Sequence, residues 1–131
     1  MSFKVLVVDD SPTVRAIIKR TLTLTGVKCD ETFEAGNGTE ALEVLRRGVV
    51  DLMVTDLNMP EMSGTELIEQ MCADPQLRDI PTIVVSTEGS KTLLDRLYQD
   101  GVSACIRKPF TPEQFNEVVH SVLEQSHESS D

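Results

Sequence analysis

The sequence predicts one α/β domain whose doubly wound, five-stranded parallel sheet carries helices on both faces. Strand-like and helix-like patterns alternate five times within 131 residues. The strand candidates are continuous apolar runs, as burial on both sheet faces demands. Right-handed crossovers then leave few other topologies for consecutive βα units. The length suits one core, burying roughly two-thirds of the unfolded surface.

The first strand is read at Lys4–Val8. Ser11 and Pro12 follow as a cap and a first-turn residue, and the next helix carries Val14, Ile17, Ile18 and Leu22 as a buried stripe ending near Gly26. The second strand is placed at Thr32–Ala35. The turn Gly36-Asn37-Gly38 leads into a helix with Ala41, Leu42 and Leu45 on one side, closing at Gly48. Asp51–Thr55 is the third strand, residues 56–60 a loop, and Leu67, Ile68 and Met71 mark a helix that stops near Asp74-Pro75. Pro81 introduces the fourth strand, Thr82–Val85, and beyond Glu88-Gly89-Ser90 a helix groups Leu93, Leu94 and Leu97 before Gly101. The fifth strand is Ala104–Arg107. Thr111, Pro112 and Gln114 then form a capping-box start for a helix with Phe115, Val118, Val119 and Val122 inward. From Glu124 the apolar period is lost, so fraying is expected; the domain is drawn at 1–125 and a flexible polar tail at 126–131.

Composition narrows the function. A net charge of −10 opposes phosphate-backbone binding, so direct nucleic-acid contact is not expected. No apolar run approaches membrane-spanning length and the start leads straight into a strand, so no membrane insertion and a cytoplasmic location are expected. Cys29, Cys72 and Cys105 are odd in number and widely spaced, which suggests reduced thiols rather than a disulfide framework or zinc site. His120 and His127 lack ligand partners at usable spacing and read as surface residues.

In open α/β sheets the functional crevice lies beyond the carboxyl ends of the strands. Asp9 and Asp10 follow the first strand, Asp56 the third, Ser86 and Thr87 the fourth, and Lys108 with Pro109 the fifth. Each has an ordinary explanation alone: the acids as helix caps or turn residues, Ser86 as a backbone partner, Lys108 as a solvated lysine. As a set they are more specific. With these strands adjacent, three carboxylates, a hydroxyl and an ammonium share a small volume, and an all-oxygen site of that charge suits Mg²⁺.

The segments Val7-Val8-Asp9-Asp10-Ser11, residues 51–60 ending in Asp56-Leu57-Asn58-Met59-Pro60, Met62-Ser63-Gly64, residues 81–86 and Lys108-Pro109-Phe110 together resemble the receiver domain of bacterial two-component response regulators. The resemblance runs from Lys4 to about Leu123. With no output domain following, it is most similar to single-domain regulators of the chemotaxis type. The expected strand order is the flavodoxin-like 2-1-3-4-5. The resemblance implies that Asp56 accepts a phosphoryl group from a histidine kinase or phosphotransfer protein. Asp10, Asp56 and the Asn58 carbonyl would ligate Mg²⁺, with Asp9 acting partly through water. Lys108 and Ser86 would contact the phosphoryl oxygens, and Asn58 and Glu88 would tune the lifetime of the phosphoaspartate. A phosphorylation-dependent change of surface would then signal to an unidentified downstream protein, without turnover catalysis. Two positions depart from the family pattern: Cys105 stands where an aromatic residue is common, and Thr87 is bulkier than the usual Ala or Gly. The stretch Gly26–Gly38 is also a few residues longer than usual.

Three other readings compete with this one. An aspartyl-phosphate hydrolase would carry Asp-x-Asp after the first strand, where this chain has adjacent acids. A flavodoxin-like electron carrier needs an uncharged phosphate loop and flanking aromatics, but aromatics are 4% and Trp is absent. A receiver-like scaffold that binds partners independently of phosphorylation is the alternative that Cys105 keeps open.

Overall fold

The computed structural model describes residues 3–24, 26, 29–87 and 89–129. Among them five strands alternate with five helices: β1 (Phe3–Val8), α1 (Pro12–Leu24), β2 (Cys29–Ala35), α2 (Gly38–Leu45), β3 (Leu52–Thr55), α3 (Gly64–Ala73), β4 (Thr82–Ser86), α4 (Lys91–Gln99), β5 (Ala104–Arg107) and α5 (Pro112–Ser129). All strand pairs are parallel and the order is β2-β1-β3-β4-β5, as predicted.

Because successive strand residues point to opposite faces, each apolar run divides between two cores. Val5, Val7, Leu52, Val54, Ile83 and Val85 pack with Ile18 and Leu22 of α1 and Phe115 and Val119 of α5. Leu6, Val8 and Met53 pack on the other face with Leu42 and Leu45 of α2 and Leu67 and Met71 of α3. A smaller group joins Val84 to Leu57, Ile68, Leu97 and Val102 beside α4. No described helix is long and apolar enough to cross a membrane.

Several boundaries differ from the sequence reading. β2 starts at Cys29 instead of Thr32, and its pairing shifts register between Phe3↔Cys29 and Lys4↔Glu31. That irregularity accommodates an added residue at the sheet edge, where Glu31 and Glu34 obscure the apolar signal of a strand. Ile17 does not belong to the buried stripe of α1: it is 53% exposed, while Ile18, Thr21 and Leu22 face inward. Ile17 instead flanks an open groove with Val14, Phe110 and Pro112. α5 continues as helix through Ser129, so residue 125 is not the end of an element. His120 is partly buried.

The starts of α3 and α5 are set by side chains. Ser63 accepts from the Glu66 N–H and the Glu66 carboxylate accepts from the Ser63 N–H, forming a capping box. Thr111 and Gln114 make the predicted reciprocal pair at α5, at 3.1 and 2.9 Å. The Lys108–Pro109 peptide is cis.

One close approach links the fold to its functional edge. The Gly64 N–H donates to the Leu57 carbonyl at 2.8 Å, and a Cβ at Gly64 would lie 2.1 Å from the Asp56 carbonyl oxygen. Only glycine lets the start of α3 sit against the backbone of Asp56. Gly64→Ala is therefore expected to destabilise the domain by roughly 1–3 kcal/mol through forced backbone displacement, seen as a lower urea midpoint at unchanged slope.

Candidate functional site

The strand ends meet as the sheet order requires. The Asp56 N–H donates to the Val8 carbonyl at 3.0 Å, holding the end of β3 against β1 beside Asp9 and Asp10. One carboxylate oxygen from each of Asp9, Asp10 and Asp56 falls within 4.8 Å of the others. Asp9 is buried, Asp56 partly buried and Asp10 exposed, so the group grades from the interior of the sheet to solvent.

Lys108 completes the cluster. Its Nζ lies 3.4 Å from Asp9 Oδ2 and 3.6 Å from Asp56 Oδ2, and the ammonium thus sits between two carboxylates. It reaches that position because the Lys108 N–H donates to the Ser86 carbonyl at 2.9 Å, extending the β4–β5 pairing past the strand end.

Asp56 is constrained as well as crowded. Its Oδ1 accepts from the Leu57 N–H at 2.7 Å, and its carbonyl accepts from the Thr55 hydroxyl at 2.8 Å. Burial raises the Asp56 carboxyl above the ordinary aspartate range and Asp9 adds to the rise; the Leu57 and Asn58 N–H groups and Lys108 oppose it. Lys108 outweighs the neighbouring Asp9, and the rise that remains is the cost of burying the carboxylate. Three carboxylates, with Asp10 open to solvent, form a donor set that fits a hard divalent cation, and this is the physical test that Mg²⁺ passes.

Asp9 also serves the chain. Its Oδ1 accepts from the Ser11 N–H at 2.9 Å and its N–H donates to the Ala35 carbonyl at 3.0 Å, so the turn role seen as its ordinary explanation coexists with the cluster. Ser11 accepts from the Val14 N–H at 3.3 Å and starts α1. Arg15 was not singled out from the sequence, yet its Nη1 donates to the Asp9 carbonyl at 2.6 Å. Its place one turn into α1, beside the acidic pair, was the available signal.

Ser86 is buried at the end of β4, paired in register with Arg107. Thr87 is exposed and lines the same groove as Lys108 and Ile17. Asn58 is exposed in the loop after β3. Glu88 lies outside the described residues.

Cys105 is half-buried on β5, beside a cavity of about 110 Å³ that also touches Ser86, Leu57, Val84 and Leu94. Its N–H donates to the Tyr98 hydroxyl at 3.2 Å. The aromatic group on this face therefore comes from α4, seven residues before the position where the family resemblance leads one to look. Burial raises the Cys105 thiol, opposed by its contact with Tyr98. Cys72 and Cys105 are both free.

The match to known proteins covers most of the chain. The response regulator receiver domain matches residues 5–120. A chemotaxis protein CheY homolog of Campylobacter jejuni is 45% identical over 121 residues, 92% of each chain. Chemotaxis protein CheY of Pseudomonas aeruginosa is 38% identical over 122 residues, 93% of this chain and 97% of the relative. Among solved structures, a CheY-like receiver domain protein from Methanospirillum hungatei has the same fold, with TM-score 0.85, 24% identity and coverage of 98% and 99% of the two chains. The CheX-CheY-BeF3-Mg+2 complex from Borrelia burgdorferi matches with TM-score 0.82 and 25% identity, over 92% of this chain and 89% of that one.

The raised Asp56 carboxyl makes a stability prediction with a definite sign. A carboxyl raised in the folded state binds protons more tightly there, so stability falls as pH rises through its folded-state pKa. Asp56→Asn is expected to raise the thermal midpoint at neutral pH in EDTA. The gain should vanish below the ordinary aspartate value of 3.8, where the carboxyl is protonated in both states.

Proposed function

The chain belongs to the response regulator receiver family, and from that premise we propose that it accepts a phosphoryl group on Asp56. The donor is a phosphohistidine of a histidine kinase or a histidine phosphotransfer protein, met in the cytoplasm. The observation that carries this reading is the Lys108 ammonium held between Asp9 and Asp56, at 3.4 and 3.6 Å, beside Asp10.

An Asp56 carboxylate oxygen attacks phosphorus as the donor's P–N bond breaks, and the leaving imidazole regains a proton. The product is an acyl phosphate. The Leu57 N–H on Oδ1 holds the carboxylate in one orientation and leaves Oδ2 facing Lys108. Transfer of this kind depends on positioning and on offsetting charge on the equatorial oxygens. Lys108 follows that charge, and Ser86 donates its hydroxyl to a phosphoryl oxygen.

Asp10, Asp56 and the Asn58 carbonyl would hold Mg²⁺, with Asp9 through water; when bound it neutralises charge on the transferring group. A Borrelia burgdorferi relative is found with BeF3, Mg+2 and CheX, which supports both the cation and a protein target for this chain. Asn58 and Glu88, two residues after Asp56 and Ser86 in the sequence, tune how long the phosphoryl group persists, and the bulk of Thr87 narrows access to Asp56. The chain acts as a signal carrier and not as a turnover enzyme.

Incubation with Mg²⁺ and acetyl phosphate should add one phosphate by intact mass to the wild type and none to Asp56→Asn. A wild type that takes no phosphate under these conditions would sink the proposal.

Cys105 favours a second reading, a scaffold whose partner binding ignores phosphorylation, and Tyr98 separates the two. It is the only tyrosine, Trp is absent, and its hydroxyl rests on β5. Its fluorescence should change with phosphodonor and Mg²⁺ in the wild type but not in Ser86→Ala. Constant emission at full phosphate incorporation would favour the scaffold.

A further inference from the structure

The Asp10 carboxylate is exposed and makes no hydrogen bond or ion pair among the described residues. Its direction is inherited from the backbone that precedes it. That backbone is held at one atom by a charged side chain, the Arg15 Nη1 donating to the Asp9 carbonyl at 2.6 Å. The opposite edge of the same guanidinium is fixed as well: Nε donates to Glu34 Oε1 at 3.0 Å. Lys19 Nζ holds the other Glu34 oxygen at 3.1 Å.

Arg15 is only 17% exposed in its side chain, and its planar fork bridges α1, the Asp9–Asp10 peptide and β2. A lysine has no rigid fork to span those two acceptors. The other restraints on Asp9, from Ser11, Ala35 and Lys108, act on its own N–H and carboxylate and not on the peptide leading to Asp10.

We propose that Arg15 is a positioning residue for the divalent cation, fixing the Asp9–Asp10 peptide so that Asp10 presents its carboxylate beside Asp56. The proposal rests on the phosphoacceptor reading. Glu34 is part of the device, because it orients the guanidinium that grips the carbonyl. The proximity of Arg15 and Lys19 draws the Glu34 carboxyl below its ordinary range, as a lasting ion pair would.

Charge alone predicts the opposite sign. A guanidinium near the site repels a cation, so its removal would tighten Mg²⁺ binding. Loss of positioning weakens it, by about tenfold where a group orienting a metal ligand is removed.

The test is calorimetric titration of the full chain with Mg²⁺, with thermal midpoints measured in EDTA alongside. Arg15→Met should weaken Mg²⁺ binding about tenfold. Arg15→Lys should also weaken it although the charge is kept, and Glu34→Gln should weaken it less. On an Asp10→Asn background the effect of Arg15→Met should shrink toward none, because the two residues act in series.

Unchanged or tighter binding in Arg15→Met overturns the proposal. So does wild-type affinity in Arg15→Lys, or full additivity with Asp10→Asn. A merely structural staple would lower the midpoint in EDTA and leave the Mg²⁺ affinity of the folded protein alone, which also overturns it. A wild type that binds no Mg²⁺ at millimolar concentration removes this proposal together with the phosphoacceptor reading. A wild type that binds Mg²⁺ and takes phosphate, beside silent Arg15 variants, removes this proposal only.

Discussion

Three carboxylates held within 4.8 Å of one another, against one ammonium, are the constraint around which this domain is organised. Like charges at that range repel, and partial burial of Asp56 denies it the water that would screen them. Burial first, with a smaller contribution from Asp9, raises the Asp56 carboxyl. A loosely built edge would relax by spreading the acids apart. Here they sit at the ends of hydrogen-bonded strands whose apolar residues are buried on both faces, so separation would disrupt the sheet itself.

The loops after the strands transmit that rigidity to the reacting groups. Ser11, Leu57 and Lys108 contribute backbone N–H bonds that tie each loop to its strand end. Gly64 brings α3 against the Asp56 backbone at a distance no side chain permits. The resulting carboxylate has one oxygen engaged by a backbone N–H and the other beside an ammonium. Such asymmetry suits a group that must attack along one line.

Much of this was legible in the sequence because it rests on residue type and place. A charged residue directly after a buried apolar run is costly and conspicuous, so Asp9, Asp56 and Lys108 could be found from local pattern, and parallel topology then brought them together. What escaped depends on contacts across the fold. The edge strand β2 begins at Cys29 and not at Thr32, because Glu31, Thr32 and Glu34 hide its apolar pattern. Ile17 obeys helical periodicity, yet among the described residues no element covers it. Arg15 binds the Asp9 carbonyl just past β1 and also Glu34 of β2, and this second partner lies outside any local window. The Ser63–Glu66 cap was different, since its spacing was present and only its role in seating α3 beside Asp56 was unread.

The phenol of Tyr98 has one more effect, on the outer border of the sheet. β5 is the last strand in the order, and a terminal strand offers its main-chain groups to any extended peptide that arrives. At Cys105 that offer is already taken: the outward N–H is engaged by a hydroxyl carried on α4. A foreign strand seeking to lengthen the sheet there must first displace Tyr98. Backbone pairing at Cys105 is thus blocked as long as α4 keeps its place.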